Sequence, residues 1–383
     1  MITISQNFDA GAIEVVRAER ADQIDLKIRK DSSSDFAQWF FFRLQGVRQQ
    51  ACTLRFLNIA QTAYPDSWQD YRVVASYDLQ NWFRVDTSCD GQVMTVQHTP
   101  AQDSIYYAYF EPYSWQRHQE TVARFAQLPG VSLENLGTTL DGREMDLLVL
   151  GNPAAERKIW VIARQHPGES MAEWFVEGML DALLDRSNPL GRCLLEHAQF
   201  YVVPNMNPDG SVRGNLRTNA SGANLNREWM TPSLASSPEV LVVKNKMHAT
   251  GCDMFFDVHG DEALPYNFVA GNEMLADFSP AMAKQQQDFI DQYKLASPDF
   301  QDKFGYAASK YNADMLKLAS KYVGHHFKCL ALTLEMPFKD NANLPDPVHG
   351  WDGARSRQLG AAILQPIWHS LQQLDSAANT KGD

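Results

Sequence analysis

Apolar and polar positions alternate along the first 115 residues in short runs rich in aromatic and β-branched side chains: Trp39 to Leu44, Thr53 to Ile59, Tyr71 to Tyr77, Trp82 to Val85, Gln92 to Gln97 and Ile105 to Phe110. Turn-forming stretches such as Ser32-Ser33-Ser34-Asp35, Asp78 to Asn81 and Cys89-Asp90-Gly91 separate them. Strands at this spacing, with no helical period between them, predict an antiparallel β-sandwich or jelly-roll-like module over residues 1–115. Its aromatics read as core, because strand aromatics mostly fill interiors.

After Glu111-Pro112-Tyr113-Ser114 the period changes. Arg117 to Leu128 reads as a helix, with Ser114 placed to cap it and Pro129-Gly130 to stop it. Strands at Met145 to Leu150, Trp160 to Ala163, Gln199 to Val203, Met254 to Val258 and Cys329 to Leu334 then alternate with helices at Ala172 to Leu184, Pro238 to Thr250, Ala276 to Tyr293 and Ala354 to Leu374. This alternation predicts an α/β domain over residues 116–383, a mixed sheet flanked by helices, with a frayed tail after Asp375. In such sheets ligands gather where loops leave the carboxyl ends of strands.

Composition narrows the partners. A net charge of -12, with no run of Lys or Arg, argues against nucleic acid and anionic membranes. No apolar stretch reaches the roughly 18 residues of a membrane span, and the first residues do not read as an export signal. Five cysteines, odd in number and never in a CxxC pair, suggest neither a disulfide frame nor a cysteine metal site. The expectation is a cytoplasmic protein; the sequence leaves a homo-oligomer open.

Candidate chemistry begins at RQHPGESMAEW, residues 164–174, where His166 and Glu169 follow an apolar run. His259 stands beyond another, in FFDVHGDE. Two imidazoles and a carboxylate offer three ligands to Zn²⁺ and leave a fourth position for water, the open coordination of a hydrolytic site. The long polar loop after YVVPNMNPDG carries Arg213, Arg217 and Arg227, and guanidinium groups clamp carboxylates and stabilise oxyanions. A hydrolase of this kind needs a base for its water, and Glu335 at the end of the apolar run CLALTLEMPF is the best candidate. Asp257 and Asp261 are alternatives, more suited to hydrogen-bonding a ligand imidazole from behind.

HPGE at 166–169, NPDG at 207–210, GNLR at 214–217, LNR at 225–227, DVHGD at 257–261 and TLEMPF at 333–338 follow one another as they do in the zinc metallocarboxypeptidases. Within that family the chain resembles the cytosolic carboxypeptidase subfamily in its bacterial form, and SYDLQNWFRV and HTPAQDSIYYAYFEPYS resemble the β-sandwich that precedes the catalytic domain there. The resemblance implies one zinc ion per chain on His166, Glu169 and His259, with Glu335 as general base. It implies Arg217 on the scissile carbonyl, and Asn226 and Arg227 on the C-terminal carboxylate of a peptide or protein substrate. A mobile tyrosine upstream of the base is also implied; Tyr306 and Tyr311 both stand there, and Tyr306 is preferred. Asn224 occupies the place of a family aspartate behind a ligand histidine, which implies modestly weaker metal binding. The pocket for the last side chain is expected between Ala313 and Tyr322. There Lys317 and Lys321 would either favour C-terminal Glu or Asp or lie on a solvated helix face. Two other readings compete: an amidohydrolase of N-acyl amino acids of the aspartoacylase and desuccinylase type, and a non-catalytic module binding acidic C-termini. The β-module and the EMPF context speak against the first, and an intact Glu335 against the second.

Overall fold

The computed structural model describes residues 1–307 and 312–379. Two five-stranded sheets are built from residues 3–108. One runs in the order Thr3–Ser5, Phe41–Gln45, Ser104–Ala108, Val74–Ser76, Trp82–Arg84 and is antiparallel throughout. The other runs Glu14–Arg20, Gln23–Lys27, Cys52–Phe56, Met94–His98, Asp86–Cys89. It departs from the antiparallel expectation at one pair, Gln23–Lys27 with Cys52–Phe56, because the chain between them crosses to the other sheet before returning. Alternate residues of Cys52–Phe56 are buried, and the Phe56 ring lies 4.7 Å from Phe40 and 6.3 Å from Phe42. Glu14–Arg20 escapes the sequence pattern because it is a charged, largely exposed edge strand.

A seven-stranded mixed sheet follows, in the order Val131–Thr138, Glu144–Gly151, Ala198–Val203, Arg157–Ala163, Met254–Asp261, Leu330–Pro337, Phe268–Ala270. The middle four strands are mutually parallel and the outer ones antiparallel to their neighbours. Successive side chains serve opposite faces. Trp160, Ile162, Phe255 and Ala331 pack with Val240, Val243 and Met247 of the helix Pro238–Thr250, while Val161, Phe256 and Leu332 share the core of Phe175 and Met179 from the helix Met171–Leu184. Helices therefore cover both faces. Met254–Asp261 and Leu330–Pro337 run beyond their predicted ends, so His259 and Glu335 lie inside strands.

Ser114 does cap the helix Trp115–Ala126, its Oγ accepting from the Arg117 N–H at 3.1 Å. The long last helix is in fact two, Gly353–Ala362 and Leu364–Asn379, because Pro366 has no N–H to give to the Ala362 carbonyl. The helix continues to Asn379, and the Asp375 carboxylate accepts from Arg157 Nε at 2.9 Å; the rest of the tail expected to fray, residues 380–383, lies outside the described residues. Among the described residues all five cysteines are free thiols, and no helix is long and apolar enough to cross a membrane.

The sandwich docks beside the carboxyl end of Leu330–Pro337. Tyr109 stacks on Phe338 with centroids 4.5 Å apart. The buried Arg84 guanidinium donates to the carbonyls of Phe338, Trp351 and His349 at 2.9, 3.0 and 3.1 Å.

The helices Met171–Leu184 and Gly353–Ala362 meet at two glycines: a Cβ on Gly178 would stand 2.1 Å from the Arg357 carbonyl oxygen, and one on Gly360 2.0 Å from that of Phe175. Gly178→Ala is expected to cost about 1–3 kcal/mol through overpacking. The midpoint of thermal unfolding should fall by several degrees; an unchanged midpoint would show that the helices can part freely.

Candidate metal centre

The strand Arg157–Ala163 stops where Arg164 adopts a left-handed conformation, with φ of 58°. Its buried guanidinium donates to the carbonyls of Pro167 and Tyr113 at 2.9 and 2.8 Å and to the Glu173 carboxylate at 2.7 Å, fixing the following turn from within. The Gly168 N–H donates to the Leu216 carbonyl at 2.8 Å, and a Cβ on Gly168 would approach Leu216 to 3.0 Å. The turn and the arginine loop are thus pinned together.

His166 and Glu169 leave this turn, and His259 comes from the adjacent parallel strand. His166 Nδ1 lies 2.7 Å from Glu169 Oε1, His259 Nδ1 lies 2.7 Å from Glu169 Oε2, and the two Nδ1 atoms are 3.2 Å apart. All three residues are buried, and among the described residues they form the one cluster of this kind suited to a metal ion.

Hydrogen bonds behind the rings fix their tautomers. The Asn226 backbone N–H donates to Asn224 Oδ1 at 3.1 Å, which identifies that atom as an acceptor. His166 Nε2, 3.0 Å from the same oxygen, therefore carries its proton there and keeps the Nδ1 lone pair free. Behind His259, the Trp229 indole donates to Gln165 Oε1 at 2.9 Å, and Gln165 Nε2 donates to Asp257 Oδ2 at 2.8 Å. That same oxygen faces His259 Nε2 at 2.9 Å. Both Nδ1 atoms and both Glu169 oxygens are thus offered to one point, and two imidazoles with a carboxylate are a zinc donor set.

The surrounding charges act differently on the three groups. Burial, with Arg217 adding to it, depresses His166 to about 4. Burial opposes the charge of Glu169 as well, but His166 and His259 outweigh it and hold the carboxyl below its ordinary range. For His259 burial is outweighed by Asp257 and Glu169, which draw a proton towards the ring until a cation replaces it.

Glu335 stands directly opposite His259 in the parallel register. The Tyr306 hydroxyl lies 2.8 Å from Glu335 Oε1 and 2.9 Å from Asp261 Oδ2, one proton between two carboxylates. Glu335 Oε2 is buried and has no hydrogen-bond partner among the described residues. Burial pushes this carboxyl well above its usual value, while His259 opposes the shift. It is placed to take up a proton and hold it.

A cavity of about 870 Å³ joins these groups to Arg217, Asn226, Arg227, Tyr306 and Lys321. Burial works against the charge of Arg217, but Tyr64, Glu262, Glu169 and Glu335 outweigh it. Asn226 Oδ1 accepts from the Ala319 N–H at 2.9 Å, and Arg227 Nη1 donates to the Asn226 carbonyl at 2.7 Å. Arg213 does not join them: Asp141 pairs with its guanidinium at 2.6 Å. Lys321 is buried in the cavity wall, whereas Lys317 lies outside it, half-buried and paired with Asp314 at 2.9 Å. Tyr311 lies outside the described residues. Sequence reasoning missed Glu262, pushed to about 8 by burial against the pull of Arg217, although it directly follows DVHGD. It also missed Tyr64 and Phe36 of the sandwich, whose rings flank Arg217 and carry no local mark of that role.

A two-His, one-Glu centre at the carboxyl ends of parallel strands, beside a mostly antiparallel module, is the arrangement of a metallocarboxypeptidase, a hydrolase. Residues 119–349 match the zinc carboxypeptidase family and residues 4–110 the cytosolic carboxypeptidase N-terminal domain, and the chain belongs to the zinc carboxypeptidase family. It is similar to a metallo-carboxypeptidase from Burkholderia cenocepacia, with 57% identity, a TM-score of 0.96 and coverage of 98% of this chain and 100% of that one. A metallo-carboxypeptidase from Pseudomonas aeruginosa, solved in complex with (2-guanidinoethylmercapto)succinic acid, shares 42% identity at a TM-score of 0.93 over 96% of this chain and 100% of that one. Cytosolic carboxypeptidase 6 of Mus musculus is 28% identical over 88% of this chain and 67% of its own.

Replacing the amide behind His166 should loosen the metal. Asn224→Ala is expected to weaken zinc binding about 10–100-fold in competition with a chromogenic chelator. Undiminished affinity would mean that Asn224 does not hold the ring.

Proposed function

We propose that the chain removes C-terminal residues from peptides or proteins with one zinc ion on His166, Glu169 and His259, and that it favours acidic last residues. What carries the reading is the convergence, in one cavity, of the ligand cluster with two arginines and with Glu335 Oε2, which has no hydrogen-bond partner among the described residues. We also place the division between sandwich and catalytic domain at residue 115, and the protein in the cytoplasm; five free thiols and the cytosolic carboxypeptidase relative support that compartment.

Zinc, when bound, acidifies a water and polarises the scissile carbonyl. The protein's own groups do the rest. Glu335 takes the water's proton on Oε2 and returns it to the leaving amine, while Tyr306 restrains its Oε1. Arg217 donates to the oxygen of the attacked carbonyl as negative charge develops there. Arg227 and the Asn226 amide hold the terminal carboxylate, which makes the enzyme an exopeptidase. Glu335→Gln is expected to abolish turnover while zinc content and binding of the product amino acid persist. Loss of zinc together with activity would instead place Glu335 among the ligands.

Lys321 supports the acidic preference. It makes no hydrogen bond to the described residues, and burial lowers its pKa to about 8 against the opposing charge of Glu273. Its ammonium is therefore present below that pH and lost above it. The ratio of kcat/KM for a peptide ending in Glu to one ending in Gln should fall as pH rises from about 7 to 9, and Lys321→Met should flatten the dependence. A screen must include C-terminal Arg and Lys, because the ligand of the Pseudomonas aeruginosa relative bears a guanidine. Faster release of Arg, Leu or Phe than of Glu would overturn the preference.

A further inference from the structure

Arg217 belongs to a loop with no strand partner, yet its backbone is held by a residue of the other module. The Asp31 carboxylate accepts from three successive backbone N–H groups, those of Leu216, Arg217 and Thr218, at 2.6, 2.8 and 3.0 Å, and from Thr218 Oγ1 at 3.1 Å. Three N–H groups turned to one anion form a nest, and charge-assisted bonds of this kind are stronger than neutral ones. Asp31 is buried and has no ion pair among the described residues. Burial raises its carboxyl above the ordinary range, and those donors oppose the shift by stabilising the carboxylate.

The segment that carries Asp31 is itself fixed. The Asp31 N–H donates to the Phe36 carbonyl at 2.7 Å, closing the turn. Ser32 N–H donates to Asn215 Oδ1 at 2.9 Å, and Asn215 Nδ2 returns a bond to Ser32 Oγ at 3.0 Å. Gly222, at φ of 87°, lets the Ser33 carbonyl come where a Cβ would stand 2.1 Å from it. Across the guanidinium, the rings of Phe36 and Tyr64 each have their centroid 5.6 Å from Arg217 Cζ. These ring contacts orient the group without using its donors. The guanidinium makes no hydrogen bond to the described residues, so its N–H groups remain available to a ligand.

We propose that Asp31 is the positioning residue for Arg217, and that the β-sandwich is through it a working part of the catalytic centre. The proposal rests on the reading of Arg217 as the oxyanion donor. A displaced oxyanion donor costs turnover and leaves ground-state binding and the metal untouched.

The test measures zinc content, kcat, KM and inhibition by a phosphinic dipeptide analogue ending in glutamate, for the zinc-loaded full chain and its Asp31→Asn, Asp31→Ala, Arg217→Ala and Asp31→Ala/Arg217→Ala variants. Asp31→Ala should lower kcat about 10–100-fold, part of the 10²–10³ that one oxyanion donor supplies, with KM and zinc content unchanged. The analogue should weaken by the same factor as kcat/KM. In the Arg217→Ala background the Asp31 substitution should cost nothing further, since the two act as one unit. Asp31→Asn keeps the shape, removes the charge and turns an N–H₂ towards the nest; it should show the same kinetic pattern at reduced size even if Asp31→Ala unfolds. Equal multiplicative loss with and without Arg217, or a loss confined to KM or zinc, would overturn the proposal. An Arg217→Ala enzyme with full kcat would remove the reading of Arg217, and this proposal with it, a result distinct from failure at Asp31 alone.

Discussion

The parallel pairing of Met254–Asp261 with Leu330–Pro337 sets His259 opposite Glu335, and the remainder of the centre is arranged around that pair. Side chains alternate between faces, so a slip of one residue would send one of the two to the far side of the sheet. Such a slip is resisted because every residue of Leu330–Pro337 is buried and both faces are covered. Ser320 and Thr333 add a hydroxyl pair at 2.7 Å, and Arg84 and Tyr109 of the sandwich hold Phe338 just past the strand's end. A ligand and a base are thereby kept in a fixed relation by a ladder of backbone bonds, which is stiffer than any loop.

Around that pair the protein buries an unusual density of charge. Glu169, Asp257, Glu335 and Glu262 are all nearly inaccessible to water, as are the rings of His166 and His259. Isolated, such groups would neutralise or destabilise the fold. Here the positive groups Arg217, Arg227 and Lys321 line the same cavity, and the ligand cluster is a donor set suited to a divalent cation. The arrangement explains why the neutral Asn224 can stand behind His166. The amide fixes the tautomer as a carboxylate would, and behind the other ring the partner is the carboxyl group of Asp257.

The ligands, the base and the arginine loop were legible because each sits in a short local pattern at the end of an apolar run. The strand ends were misjudged for the same reason: a polar residue closes a hydrophobic period, whereas His259 and Glu335 continue their strands under cover of the site. Lys317 and Lys321 could not be told apart because the helix Ala319–Phe327 has no side-chain cap to mark its start, and its start decides which lysine turns inward. Asp31 adjoins a run of serines that reads as an ordinary turn, and Tyr64 and Phe36 stand in or beside turn-type stretches with nothing local to set them apart. Their part in the site depends on contacts between residues far apart in sequence, which no local pattern encodes.

Asp31 and the nest it fills are separated by 185 to 187 residues of chain. Closing so long a loop carries an entropic cost that is recovered when two formed modules dock, so the arginine loop takes its final shape late. During synthesis the sandwich leaves the ribosome first and can fold before residue 217 exists. The zinc ligands and Glu335, by contrast, all belong to the catalytic domain and take no ligand atom from the sandwich. If Asp31 sets Arg217, a half-assembled chain could acquire its metal yet remain nearly inert, and peptidase activity would itself report that assembly is complete.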